Sequence, residues 1–123
     1  MMLKLMITAA FVAGFTGAAA AGDQGDPPLS CDGSTVEMVE CINTDTAQWD
    51  KRMNAAYQQL LKDVGDQQRD QLRVAQRLWV QYRDANCRYY ALGEGTIASI
   101  ETSDCVRSMT ETRATELEGL RHQ

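Results

Sequence analysis

The chain has 123 residues, of which 44% are hydrophobic, with a formal net charge of −5 at pH 7, four Cys and one His. A chain of this size holds one small domain. Its acidic balance argues against nucleic acid and anionic membranes as partners, because both favour clustered Lys and Arg, so a basic protein is the better candidate. The one His, His122, lies beside the last residue, where it is poorly placed to serve as the base of a Ser/His/Asp or Cys/His site.

The first segment has the pattern of an export signal. Lys4 precedes an apolar run over residues 5–15, and small residues at 17–21 fit the A-x-A cleavage rule. The run is shorter than the ~20 apolar residues that a membrane span needs. We therefore predict a signal peptide over residues 1–21, a flexible leader over 22–30 and a helical domain over 31–121. Because no lipid-attachment Cys follows the predicted cut, we expect a periplasmic or secreted protein.

The four cysteines, Cys31, Cys41, Cys87 and Cys105, predict two disulfides. An exported domain of this size meets an oxidising compartment and gains stability from cross-links. A zinc site is the competing interpretation, but the spacing includes no C-x-x-C and no paired His. We therefore predict no metal and no cofactor.

A long first helix is predicted from Ser34 onwards. Ser34 and Glu37 have the spacing of a capping box, and Gly65 supplies a stop. Apolar residues recur at helical steps between them. They are Met38, Cys41, Ile42, Trp49, Met53, Tyr57, Leu60 and Leu61.

Two further helices follow, the second with Asp66 as its expected cap. Its predicted apolar face is Leu72, Ala75, Trp79, Tyr82, Asn86 and Tyr90, and that of the third helix is Cys105, Met109, Thr112, Glu116, Leu117 and Leu120. The short link at Gly65 predicts that the first two helices pack as an antiparallel hairpin. The predicted fold is all-α, either a small antiparallel three-helix bundle or a helical hairpin plus a third helix, cross-linked by two disulfides.

This arrangement gathers all four cysteines at one end of the bundle and leaves their pairing open. We favour Cys31 with Cys87 and Cys41 with Cys105, because Cys41 and Cys105 both lie on the predicted core faces. Local pairing, Cys31 with Cys41 and Cys87 with Cys105, is the main alternative.

Three stretches resemble the LprI-like lysozyme inhibitor domains of bacterial envelopes. They are Glu37-Met38-Val39-Glu40-Cys41 continuing to Asp50-Lys51-Arg52-Met53-Asn54-Ala55-Ala56-Tyr57, then Leu72-Arg73-Val74-Ala75-Gln76-Arg77-Leu78-Trp79-Val80-Gln81-Tyr82-Arg83-Asp84-Ala85-Asn86-Cys87, and Cys105-Val106-Arg107-Ser108-Met109-Thr110-Glu111-Thr112-Arg113. The resemblance implies a small helical, disulfide-bonded envelope domain that inhibits lysozyme. It covers nearly all of the chain after residue 30.

We expect the charged and aromatic residues within these stretches to stabilise the fold. We expect Asp50, Arg83, Asp84 and Arg113 to form a partly buried ionic network that sets the helix register. An alternative reading makes Arg77, Arg83 and Asp84 a recognition patch around Trp79. The aromatic residues Trp49, Tyr57, Trp79 and Tyr82 are expected in the core.

The loop after the second helix is the best candidate for partner binding. Two glycines permit unusual backbone shapes, and a nearby disulfide would hold the loop base rigid, which lowers the entropy cost of binding. The predicted partner-binding residues are Arg88, Tyr89, Tyr90, Gly93, Glu94 and Gly95. The alternative interpretation is that this segment is only a helix end followed by a turn.

These expectations favour a protein-binding module that blocks a lysozyme-type muramidase by occupying its cleft. The alternative function is a structural, adaptor or envelope-stress protein that binds an endogenous partner. An enzyme is least favoured, because the sequence offers no pairing of nucleophile and base and no metal cluster.

Overall fold

The computed structural model describes residues 31–123, which form three α-helices: α1 (Thr35–Asp63), α2 (Asp66–Ala91) and α3 (Ile97–Leu120). No β-strand occurs in this range. The all-α, three-helix prediction is therefore confirmed. The predicted signal peptide and leader lie outside the described residues.

The N-terminus of α1 has the predicted capping box. The Ser34 backbone N–H donates to the Glu37 carboxylate at 2.8 Å, and the Glu37 backbone N–H donates to the Ser34 hydroxyl at 3.3 Å. Donation by the Ser34 backbone and side chain lowers the pKa of Glu37. Two amides that the helix cannot satisfy internally are thus paired, which fixes where α1 begins.

The link between α1 and α2 is held by Arg69. Its Nε donates to the carbonyl of Leu61 at 2.6 Å, and its Nη2 donates to the carbonyl of Val64 at 2.8 Å. These bonds satisfy carbonyls at the C-terminal end of α1. The prediction that Asp66 caps α2 is wrong: the cap position is Gly65, without a side-chain cap, and Asp66 pairs with Arg69 inside the first turn.

Helix α3 lies between the other two helices and packs against both, while α1 and α2 touch each other little. The core joins Met53, Ala56 and Leu60 of α1 to Ala114 and Leu117 of α3. Because Ala56 and Ala114 are small, α1 and α3 can approach closely. The prediction that α1 and α2 pack together as a hairpin is therefore wrong in its contacts, since α3 takes the place expected for α2.

Cross-helix contacts give the helix directions. Asp45 contacts Arg107 at 3.7 Å and Arg52 contacts Glu118 at 2.7 Å, so α1 and α3 run in parallel. On the other side, Cys87 is bonded to Cys105, and further along Arg113 donates to Gln76 at 3.0 Å. Helix α2 is therefore antiparallel to α3, and the α2–α3 loop lies at the same end as the start of α1.

The core on the α2 side of α3 is partly polar. Arg113 is 9% exposed and Gln76 is 7% exposed, and the guanidinium of Arg113 also binds Glu116 at 2.7 Å. Thr110, fully buried, donates to the carbonyl of Val106 at 2.6 Å. Across residues 31–123 every buried side-chain nitrogen or oxygen has a hydrogen-bond partner. A shift of α2 along α3 would break the bond between Arg113 and Gln76, so this bond specifies the register.

The two disulfides are Cys31–Cys41 and Cys87–Cys105. The favoured pairing of Cys31 with Cys87 and Cys41 with Cys105 is wrong, and the local alternative is correct. The physical reason is the position of α3: it separates α1 from α2, so Cys87 faces α3 and Cys31 reaches only the first turns of α1. Asp45, one turn after Cys41, contacts Arg107, two residues after Cys105. Both disulfides therefore lie at one end of the bundle.

Tryptic mapping of the oxidised protein tests this pairing. Cys31 and Cys41 share one tryptic peptide that ends at Lys51, whereas Cys87 and Cys105 fall in the separate peptides 84–88 and 89–107. We expect mass spectrometry without reduction to show an internal disulfide in the first peptide and a cross-link between the other two. A cross-link from the first peptide to either of the others would contradict the structure.

A second prediction concerns acid stability. Hydrogen bonds from Arg52 lower the pKa of Glu118 below its ordinary value of 4.5. The pKa of Glu118 is lower in the folded state than in the unfolded state. The ion pair therefore stabilises the fold fully at a pH above the unfolded-state pKa, and this stabilisation is lost as the pH falls through the folded-state pKa. Glu118→Gln should lower the Tm at about pH 7 and converge with the wild type at about pH 2.

The matched control is Glu94→Gln, which removes an exposed carboxylate without an ion pair to any described residue. Its Tm should follow the wild type over the same pH series. A Glu118→Gln difference that stayed constant down to low pH would show that the pair does not act through its charge.

A candidate binding pole at the disulfide-linked end

The loop between α2 and α3, residues 92–96, lies at the end that carries both disulfides. The Leu92 N–H donates to the Arg88 carbonyl at 3.2 Å, and the Ala98 N–H donates to the Gly95 carbonyl at 3.3 Å. The Cys87–Cys105 disulfide joins α2 to α3 about one turn before α2 ends. Backbone bonds and a covalent cross-link together fix both sides of the loop.

The structure brings the six predicted partner-binding residues together at this end, and all six are exposed. They are Arg88, Tyr89, Tyr90, Gly93, Glu94 and Gly95. We call this group, together with Leu92, the binding pole. The rings of Tyr89 and Tyr90 meet edge to face with centroids 5.4 Å apart, and Tyr89 is 77% exposed.

The pole carries a shallow depression of about 450 Å³, lined by Tyr89, Tyr90, Leu92, Gly93 and Glu101. Sequence reasoning missed Leu92 and Glu101. Leu92 is 76% exposed although it is apolar, and an apolar residue directly beside a Gly-rich loop was the signal that could have found it. An exposed aromatic and an exposed aliphatic side chain on a fixed backbone form a surface suited to a protein partner.

Two glycines shape the loop for different reasons. Gly95 has a φ of +75°, a left-handed conformation that residues with a Cβ rarely adopt. Gly93 has an ordinary φ, but a Cβ there would lie 3.1 Å from the backbone oxygen of Tyr90. The Gly-Glu-Gly sequence therefore places Glu94 in the turn between two positions at which any side chain larger than that of glycine is disfavoured.

A second depression, of about 310 Å³, adjoins the first and shares Tyr90 and Glu101 with it. Carboxylates of Glu101 and Asp104 line it, and Asp104 also binds Arg107 at 3.0 Å. The floor includes Met109, whose sulfur accepts from the Asn86 side-chain amide at 3.3 Å. The carboxylates of Glu101 and Asp104 make this depression, beside the binding pole, acidic.

The residues predicted to form an ionic network are arranged differently. Arg83 pairs with the neighbouring Asp84 at 3.0 Å and lies over the Trp79 ring, while Arg113 binds Gln76 and Glu116. Asp50 instead accepts a hydrogen bond from the Asn54 amide at 3.1 Å. Of the four residues only Arg83 and Asp84 pair with each other, whereas Asp50 and Arg113 bind residues outside the predicted set, so the single network is not formed.

The aromatic residues divide into two groups. Trp49, Tyr57 and Trp79 pack against the core, as predicted. The prediction for Tyr82 is wrong, because its side chain is 62% exposed on the side of α2 that faces away from α3. Only one side of α2 meets another helix, so the apolar residues on its other side remain in solvent.

Residues 31–123 lack the features of two other kinds of site. No group of three or more His, Cys, Asp and Glu side chains in this range is arranged to hold a metal ion. None of the three helices is long and apolar enough to cross a membrane.

These features define a small, disulfide-bonded three-helix protein whose exposed aromatic and aliphatic side chains lie on a fixed loop. The family model described as "Lysozyme inhibitor LprI" matches residues 30–117. The chain belongs to this family, which confirms the resemblance found in the sequence. Neither the curated proteins nor the solved structures that were searched gave a match.

Replacing Gly95 tests the loop conformation. We expect Gly95→Ala to destabilise the protein by about 1–2 kcal/mol, because an added Cβ disfavours a left-handed backbone. The matched control is Gly119→Ala, near the end of α3, where φ is not positive and a Cβ would meet nothing within 4 Å. Urea unfolding followed by circular dichroism measures both. Equal stability of the two variants would contradict the positive φ at Gly95.

Proposed function

We propose that this protein inhibits a lysozyme-type muramidase by placing its binding pole against the enzyme's substrate cleft. The observation that carries the proposal is membership of the lysozyme inhibitor family over residues 30–117. Inhibition in this form needs only binding and no chemistry from the inhibitor.

The form of the pole supports binding. The disulfide and the backbone bonds already restrict the loop before a partner arrives, so little conformational entropy is lost on association. Tyr89 and Leu92 offer large exposed apolar surfaces, and tyrosine is among the side chains that contribute most to the binding free energy of many interfaces.

The charge of the protein supports a basic partner. With a net charge of −5, the chain attracts a basic lysozyme over several ångströms, which accelerates encounter and makes the rate sensitive to salt. Glu94 at the loop turn adds to this attraction at the site of contact.

Export to the periplasm or the medium fits the same function. Two disulfides and no free cysteine among the described residues fit an oxidising compartment. The proposed signal peptide over residues 1–21 would deliver the chain there, where it can meet a cell-wall hydrolase.

An inhibition assay tests the proposal. The oxidised protein is titrated against a c-type lysozyme on a cell-wall substrate at low and high salt, with g-type and phage muramidases beside it. We expect inhibition of one class that weakens as salt rises. Absence of inhibition in every class would contradict the proposal and favour an adaptor or envelope-stress role.

Glu94→Lys tests the contribution of the pole. We expect slower association with the inhibited enzyme, with circular dichroism and Tm nearly unchanged, because Glu94 is exposed. The control is Asp63→Lys, which changes the net charge equally at the opposite end of the bundle. If both variants slowed association equally, only the overall charge would matter and the pole would not be the contact.

A further inference from the structure

The outer side of α2 carries an apolar stripe that the rest of the described chain leaves uncovered. We call it the outer stripe, and its members are Val74, Leu78, Tyr82, Tyr89 and Leu92. Leu78 is 58% exposed and Tyr82 is 62% exposed. Steps of four, four, seven and three residues return to the same helix face, so these side chains form one ridge about 27 Å long. The ridge ends in the binding pole.

Charge on α2 differs from charge on its neighbours. Helix α2 has five Arg and three Asp, whereas α1 has five acidic and three basic residues and α3 has five acidic and two basic residues. Each Asp of α2 is paired with an Arg of the same helix. Arg77 and Arg88 make no ion pair with any described residue. They are eleven residues apart, three helical turns, and therefore lie on the same flank of the outer stripe.

These two arginines argue against a second copy of the chain as the occupant of the stripe. In an antiparallel pairing of two α2 helices centred near Tyr82, Arg77 of one copy would lie opposite Arg88 of the other. The two like charges would repel each other across the interface and oppose association. The favoured occupant instead supplies carboxylates along that flank and a concave surface for the ridge.

The substrate cleft of a muramidase supplies both the carboxylates and the concave surface. Cleavage of a glycosidic bond generally uses a pair of carboxyl groups that flank the bond, so the cleft of such an enzyme is concave and carries carboxylates at its centre. The outer stripe is convex and apolar, and its unpaired arginines match those carboxylates in charge.

We propose that the outer stripe of α2 enters the muramidase cleft together with the binding pole, with Arg88 paired to a catalytic carboxylate. This inference rests on the proposed function and adds a contact surface to it. The acidic surfaces of α1 and α3 then act at long range in attracting the basic enzyme. The basic flank of α2 acts at short range, where it holds the bound state.

Two charge variants and their controls test the surface. Leu78→Glu places a carboxylate on the ridge, and Arg88→Glu reverses the proposed pairing charge. The controls are Ala55→Glu and Lys51→Glu, which make similar changes at exposed positions of α1. We expect each α2 variant to raise the inhibition constant for c-type lysozyme about tenfold or more, with controls within about twofold and all Tm values similar.

A double-mutant cycle tests the pairing of Arg88. Binding of the wild type and Arg88→Gln is measured to the lysozyme and to its variant in which the catalytic Asp, the carboxylate that stays ionised, is replaced by Asn. The Arg88→Gln change should weaken binding to the wild-type enzyme and have little effect on binding to the variant. Equal effects on both enzymes would overturn the pairing.

The outcomes separate the two proposals. If the wild-type protein inhibits no muramidase, the proposed function fails. If the wild-type protein inhibits a muramidase, and the Leu78→Glu and Arg88→Glu variants inhibit it as strongly as the wild type, the proposed function stands and the outer stripe is not the contact. Light scattering and phosphatidylglycerol vesicles test other occupants. Dimers or vesicle binding that Leu78→Glu abolishes would assign the stripe to a second copy or a lipid surface, and would overturn the inference.

Discussion

The burial of α3 between α1 and α2 is the constraint on which the rest of this structure depends. Ala114 and Leu117 have no exposed surface and pack against Met53, Ala56 and Leu60 of α1. On its other side, α3 holds α2 through the Arg113–Gln76 hydrogen bond and the Cys87–Cys105 disulfide. Since α3 contributes to both contacts, α1 and α2 meet each other only at a few points, such as the contact of Gln76 with Met53.

This arrangement explains both candidate surfaces. An outer helix buries only one side, so the apolar residues on the far side of α2 remain in solvent as the outer stripe. The disulfide that ties α2 to α3 also fixes the start of the loop that follows it, and the positive φ of Gly95 turns the chain into α3. The packing that stabilises the domain therefore also presents a ridge and a pole for a partner.

Local sequence signals predicted the helices well. The capping box at Ser34 and Glu37 and the repeat of apolar residues through Leu60 act within one helix, so periodicity alone places them. The gathering of Arg88, Tyr89 and the Gly-Glu-Gly loop at the disulfide-linked end also followed from helix order and length. The family resemblance gave the function class that the family match supports.

These local signals did not predict which helix faces pack against each other. Helix α2 carries two apolar stripes, one through Leu72 and Trp79 and one through Leu78 and Tyr82, and periodicity does not tell which one meets a neighbour. Placing Tyr82 in the core was an error of this kind. The disulfide pairing depended on the same choice, because the pairing of Cys31 with Cys87 requires α2 to pack beside the start of α1, and α2 packs on α3 instead.

Hydrogen exchange on the free protein and on its complex with c-type lysozyme tests the central claim most directly. The account predicts that amides of α3 around Thr110–Leu117 exchange most slowly in both states, because they open only with the whole domain. It also predicts that lysozyme adds protection in the second half of α2 and in the loop, with none along α1. Slowest exchange in α1, or protection by lysozyme confined to α1, would contradict the account.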